Sequence, residues 1–209
     1  MATSRGRGHS AGLTRAQIID AAREIVADTG AGALSMRTLA KRLDVTPNAL
    51  YAHVSGKDDV IDGVLDQVLG EVRRASPNAA DPIAALERIM ISTYAVLVRH
   101  RDLVPSFLSR QGSRGPNALE LGDIMNALLA RLGVVDVDAA RRVLVVYAIG
   151  SAAFATTGNE GRLAVSEKVA RQHFDLGLRW LLAGIVEATG KARKSRPAAH
   201  RVDDATGPQ

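Results

Sequence analysis

The stretch from Ser35 to Lys57, SMRTLAKRLDVTPNALYAHVSGK, constrains this chain more than any other. Leu39, Ala40, Leu43, Val45 and Leu50 fall at spacings that fit two short helices packed across a corner. Each helix start carries the same punctuation. Leu34-Ser35 precedes Leu39 and Val45-Thr46 precedes Leu50, in each case an apolar residue, a hydroxyl cap and a second apolar residue five on from the first. That is the spacing of an N-cap with a hydrophobic staple, which sets the angle at which the chain enters the helix. Pro47, directly after the Thr46 cap, gives up no hydrogen bond there, and its fixed φ favours a helix start. Asp44 in the turn tolerates a left-handed backbone better than most residues with a side chain. The short second helix then exposes Thr46, Pro47, Asn48, Ala49, Tyr51 and His53, as a rod that lies in a DNA major groove would.

The residue types on that rod suit the task. Tyr51 and Thr46 offer hydroxyl hydrogen bonds to phosphates, and Lys57 a charge. Asn48 can pair with an adenine edge, and Ala49 or Pro47 can touch a thymine methyl. His53, Arg37 and Thr38 complete the expected DNA-facing set, the last two near the groove edge.

The segment LAKRLDVTPNALYAHVSGKDDVI resembles the helix-turn-helix of the TetR family of bacterial transcriptional regulators. The matching features are Leu39-Ala40, Leu43, Val45-Thr46, Leu50-Tyr51, His53, and Lys57 followed by acidic residues. Asp44 departs from the pattern, which usually has glycine there. A second stretch, RHRDLVPSFLSR and then GPNALELGDIMNALLARLGV, resembles the ligand-binding body of the tetracycline-repressor-like branch. The resemblance implies an all-α fold of about nine helices, with a three-helix DNA-binding head and a helical body that binds ligand and dimerises. It implies a ligand-responsive repressor on a palindromic double-stranded operator, with a small-molecule effector held inside the body, among helices four to eight. Tyr94, His100, Phe107, Met125, Tyr147 and Phe154 are the candidate pocket residues. Aromatic residues make up only 3% of the chain, so a flat aromatic cage is not expected.

Charge is distributed in keeping with that reading. Residues 1–57 hold 8 Lys/Arg against 4 Asp/Glu, residues 58–189 hold 14 against 16, and residues 190–209 hold 5 against 2. A basic first quarter on a near-neutral body suits a phosphate-facing head on a scaffold turned toward something else. The chain has no cysteine, which removes disulfides and thiolate metal sites and fits a cytoplasmic setting. The N-terminus lacks an apolar signal region, and the apolar run from Val143 to Ala155 is too short for a membrane span.

Five segments follow from the periodicity: a mobile basic arm over 1–12, the helix-turn-helix domain over 13–56, a connecting helix over 57–76, the ligand-binding and dimerisation domain over 77–188, and a disordered basic tail over 189–209. Arg5 and Arg7 could reach a minor groove. Thr14 with Gln17 forms a capping box, Ser55 with Asp58 a weaker one, and Asp81 and Asp136 cap later helices. The connecting helix is expected to run into Arg74, helix eight from Val137 to about Thr156, and helix nine from Val165 to about Ala188.

Helix eight is apolar almost all round, with the small residues Gly150 and Ser151 in its middle. Paired with helix nine and their two-fold mates, it gives a four-helix interface. The expected interface residues are Val146, Gly150, Ala153, Phe174, Leu178, Leu181 and Ile185. The five histidines are scattered, and no nucleophile, phosphate-loop or metal motif occurs, so neither enzyme chemistry nor a metal or cofactor is expected. Two rival readings remain: a helical small-molecule-binding protein or enzyme with a vestigial helix-turn-helix, and a DNA-binding activator without an effector.

Overall fold

The computed structural model describes residues 12–110, 115–156 and 165–194. These form nine α-helices and no strand: α1 (Arg15–Thr29), α2 (Met36–Arg42), α3 (Pro47–Tyr51), α4 (Lys57–Leu69), α5 (Pro82–Arg99), α6 (Val104–Ser109), α7 (Pro116–Arg131), α8 (Val137–Thr156) and α9 (Glu167–Lys194). The expected basic arm, apart from Gly12, and the tail from residue 195 on lie outside the described residues.

Local chemistry sets most of the helix starts. Thr14 and Gln17 exchange bonds in a full capping box, and Ser35 does the same with Thr38. Asp81 accepts the Ala84 N–H and Asp136 accepts the Ala139 N–H. Two expected caps take another form. Thr46 makes no side-chain capping bond, so Pro47 alone organises the start of α3. At α4 the Ser55 hydroxyl gives way to Asp59, whose carboxylate accepts the Ser55 N–H at 2.8 Å.

Two boundaries differ from the sequence pattern. α4 stops at Leu69, five residues before the expected end. There the Arg74 guanidinium folds back and donates to the carbonyls of Leu69, Gly70 and Val72, replacing the N–H groups of a further turn. α9 runs to Lys194, past Ala188 and through Gly190, into the segment expected as a tail.

The core is one continuous apolar cluster. In the head, Ile18, Ala22, Ile25, Leu39, Ala40 and Leu50 close the corner between α1, α2 and α3. In the body α5 is central, packed on α7, α8 and α9, and Leu86, Ile89, Met90 and Leu97 on α5 are buried along with Leu128 and Leu129 on α7 and Leu144 and Ala148 on α8. α8 is long and apolar enough to cross a membrane by length and composition alone. It packs instead on α5, α6, α7 and α9, and an apolar stripe on its outer side stays uncovered.

A candidate nucleic-acid interface and its link to the body

The turn between α2 and α3 is built on a departure from the glycine pattern. Asp44 sits at φ 52°, the single non-glycine residue at positive φ among those described. The Val45 N–H bonds back to the Ala40 carbonyl at 3.0 Å and the Asp44 N–H to that of Lys41 at 3.3 Å. These bonds form a Schellman closure with aspartate in the position where glycine is cheapest. The closure swings α3 out across α2, and Leu50, fully buried, pins it.

α3 then presents Thr46, Pro47, Asn48 and Tyr51 to solvent, with Tyr51 53% exposed. Ala49 and His53 are half-buried at the edges of that face, and Lys57 is exposed at the first position of α4. On α2, Arg37 is exposed and without an ion pair among the described residues. Thr38 is exposed too, but its hydroxyl is committed. It accepts the Ser35 N–H at 2.9 Å and lies 3.1 Å from the Ala33 carbonyl, so it holds the start of α2.

The head sorts its cations into two groups. Arg15 clasps Asp59 through both terminal nitrogens at 2.6 and 2.9 Å, and Arg42 reaches Asp28 at 2.8 Å and Glu24 at 3.1 Å. Both guanidiniums are raised above their ordinary value, chiefly by the hydrogen bonds to those carboxylates. They hold the head together. Arg37, Lys41 and Lys57 stay exposed and unpaired among the described residues, which leaves them for an outside anion. Lys41 was not in the expected set; its exposure beside a spent Arg42 is visible only in three dimensions.

α4 links head and body as a rod with two polar stripes. Toward α1, Asp59 holds Arg15, Gln67 donates to Asp20 at 2.6 Å, and Gly63 lies close against Ile19. Toward α6 and α7, Asp58 and Asp62 both engage Arg110, at 3.0 and 2.6 Å. One turn further on, Asp66 is 6% exposed and accepts three N–H groups at the start of α7: the Asn117 and Ala118 backbone amides and the Asn117 side chain. Just past α4, Glu71 gathers Arg23 from α1 with Arg99 and His100 from the end of α5. Burial works against the Glu71 charge, but His100 and Arg23 outweigh it and hold the carboxyl below its ordinary value.

The body rearranges several expectations. Of the six pocket candidates, Tyr94, Phe107 and Met125 are buried in the core, and Tyr147 is half-buried with its hydroxyl donating to the Phe174 carbonyl at 3.1 Å. His100 instead caps α5 and bonds Glu71, and Phe154 points outward at 69% exposure, so the six do not line one space. Among the interface candidates, Val146 and Gly150 are exposed, while Ala153, Leu181 and Ile185 are half-buried. Phe174 and Leu178 are corrections: both are buried within the chain's own core, because α9 turns that stripe toward α5 and α8. The uncovered apolar face consists of Val143, Val146 and Phe154 on α8 with Leu176 and Trp180 on α9, Trp180 being 69% exposed. Beside Gly150 and Gly184 a β-carbon would meet nothing within 4 Å.

A helix-turn-helix with an exposed second helix, cations around it that are unpaired among the described residues, and a connecting rod to a helical body define a DNA-binding regulator. The family model for bacterial regulatory proteins, tetR family, matches residues 18–64. An HTH-type transcriptional regulator of Saccharopolyspora erythraea is 34% identical over 85% of this chain and 86% of its own length. The HTH-type transcriptional repressor Rv3405c of Mycobacterium tuberculosis is 30% identical over 75% of this chain and 87% of its own. Among solved structures, ActR of Streptomyces coelicolor in complex with actinorhodin superposes with a TM-score of 0.78 at 26% identity, over 87% of this chain and 99% of that one. BioQ with its double-stranded DNA operator gives 0.65 at 26% identity, over 84% and 99%. The chain belongs to the TetR family of bacterial transcriptional regulators.

Proposed function

We propose that this protein is a ligand-responsive repressor that binds a palindromic operator as a homodimer. Two copies of α3 would enter successive major grooves, about 34–36 Å apart. Tyr51, Thr46, Lys57 and the unpaired Lys41 contact phosphates; Asn48, Ala49 and Pro47 meet base edges, with Arg37 and His53 at the margins. The second copy docks on the apolar face of α8 and α9, which leaves the heads free on the far side of the molecule.

The observation that carries the ligand response is the two-striped α4. Its carboxylates clamp α1 on one side and Arg110 and the start of α7 on the other, so a shift in the body reaches the head through polar contacts that cannot slide freely. Coupling of about 1–3 kcal/mol is enough to change operator affinity 5–150-fold. The complexes of ActR with actinorhodin and of BioQ with its operator support the two halves of the reading. Residues 13–56 then act as the DNA head, 57–76 as the connector and 77–188 as the sensing and dimerising unit.

Footprinting on DNA flanking the protein's own gene tests this directly. A protected palindrome that is released by a small molecule supports the proposal. Protection that no small molecule relieves would favour an effector-free regulator, and absence of any protected site at low salt would overturn the DNA-binding role.

A further inference from the structure

The chain has three Phe, three Tyr and one Trp, yet four of those seven side chains gather at one place. Tyr94 of α5 stacks on Phe174 of α9 with ring centroids 4.2 Å apart and planes 14° from parallel. Phe174 stacks in turn with Tyr147 of α8 at 5.3 Å and 13°. Phe154 stands at the rim of a cleft of about 330 Å³ between α8 and α9, whose walls include Tyr147, Phe174, Ser151 and His173. The guanidinium of Arg171 lies over the Tyr94 ring at 5.8 Å. Composition alone gives no reason to expect a flat aromatic cage; the placement of these few rings brings them together as a stacked ladder.

Tyr94 adds a second, independent observation. It is 3% exposed, and its hydroxyl is buried with no hydrogen-bond partner among the described residues. A buried hydroxyl without a partner is costly to keep. Phe174 is at once a wall of the cleft and the ring that covers Tyr94, so displacing this one side chain joins the cleft to the hydroxyl.

We infer that the effector is a flat aromatic molecule carrying a hydrogen-bond acceptor, which stacks in the Tyr94–Phe174–Tyr147 ladder and receives the Tyr94 hydroxyl. This rests on the ligand-responsive reading above and names its ligand class. The displaced Phe174 leaves a slot between the Tyr94 and Tyr147 rings, each within 14° of the Phe174 plane, and a flat molecule stacks there. The acceptor satisfies the one polar group in the ladder that the free protein leaves unmatched. Ser151 and His173 at the cleft wall offer further polar contacts. The cleft opens onto the apolar face of α8, so a second copy would roof it and shut the ligand from water.

The test compares anthraquinone-2-sulfonate with anthracene-2-sulfonate, which shares the flat skeleton but lacks the carbonyl acceptors, on the full chain by absorbance titration. The quinone should bind about tenfold more tightly, the worth of one buried hydrogen bond. Tyr94→Phe should erase that preference while leaving anthracene-2-sulfonate binding unchanged. It should also raise the Tm of the free protein, because it removes the unmatched hydroxyl. Equal binding of the two probes to the wild type, or a preference that survives Tyr94→Phe, overturns the inference. Failure of both probes on a protein whose operator complex is released by some other small molecule sinks the ligand class and spares the reading beneath it. If nothing releases the operator, both fall.

Discussion

A β-carbon built on Gly115 would lie 2.1 Å from Cγ of Asp66, so the entry to α7 can meet the connecting helix only because position 115 has no side chain. The closeness has a purpose: it lets one buried carboxylate accept three N–H groups, two of them backbone amides that α7 cannot pair internally. Gly115→Ala must push Asp66 off this seat, and Asp66→Ala leaves the donors unpaired. Each unpaired buried donor costs about 1–3 kcal/mol. Either variant should lower Tm, by about 2–4 °C for each kcal/mol lost in a chain of this size. Because both break one contact, the double variant should melt close to the worse single variant. Additive losses in a thermal scan would show that the two residues are not coupled.

The division of cations in the head predicts how salt acts on operator binding. Lys57 is exposed and unpaired among the described residues, so Lys57→Ala should weaken binding at every salt concentration. It should also reduce the slope of log affinity against log salt by about one. Arg42 is spent on Asp28 and Glu24, so Arg42→Ala should leave the slope nearly unchanged. Tyr51→Phe removes a neutral hydroxyl and should cut affinity several-fold at constant slope. Fluorescence anisotropy with a labelled operator at four or five salt concentrations separates the three.

The head was legible in the sequence because its signals are local. Caps, staples and the Schellman turn each involve residues within five positions, and the observed Asp44 at φ 52° is the local consequence of a helix that must end there. The body was less legible because its decisive contacts are not local. Phe174 and Leu178 share a stripe with Leu181, and only the rotation of α9 against α5 decides that the first two face inward. Arg110 reaches across 48 positions to Asp62, and Tyr147, Phe154 and Phe174 meet at one cleft with Tyr94 stacked behind Phe174. Helical periodicity reports that a face is apolar; it does not report whether that face meets its own chain or a second copy.

Asp59 ties head stability to pH. The hydrogen bonds from Arg15, with help from the Ser55 N–H, bring its carboxyl down from 3.8 to about 2. A carboxyl depressed in the folded state stabilises above its unfolded value and loses that contribution as protons return. The Arg15–Asp59 contribution is therefore complete above about pH 4 and disappears as pH falls toward 2. Arg15→Ala should lower Tm at pH 5 and above, and the gap to the wild type should close between pH 4 and 2. A gap that stays constant down to pH 2 would assign the loss to packing of the Arg15 side chain and not to its charge.

The apolar face of α8 and α9 makes the most exposed prediction. Phe154 and Trp180 are each 69% exposed in the single chain, so neither contributes much to its own fold. Polar replacements there should leave the monomer's helicity and core intact. Large aromatic side chains at the centre of an interface are often worth 2 kcal/mol or more, about 30-fold in association. Phe154→Asp, or Trp180→Arg, should shift the wild-type dimer to monomer in sedimentation at micromolar concentration. Operator affinity should drop with it, since a lone head loses the second half-site. The chain has one tryptophan, so its emission in the wild type should move to longer wavelength on dilution as Trp180 leaves the interface for water. A Trp180 spectrum that is unchanged on dilution, beside a wild type that sediments as a dimer, would place the two-fold contact on another surface and leave this apolar face without its partner.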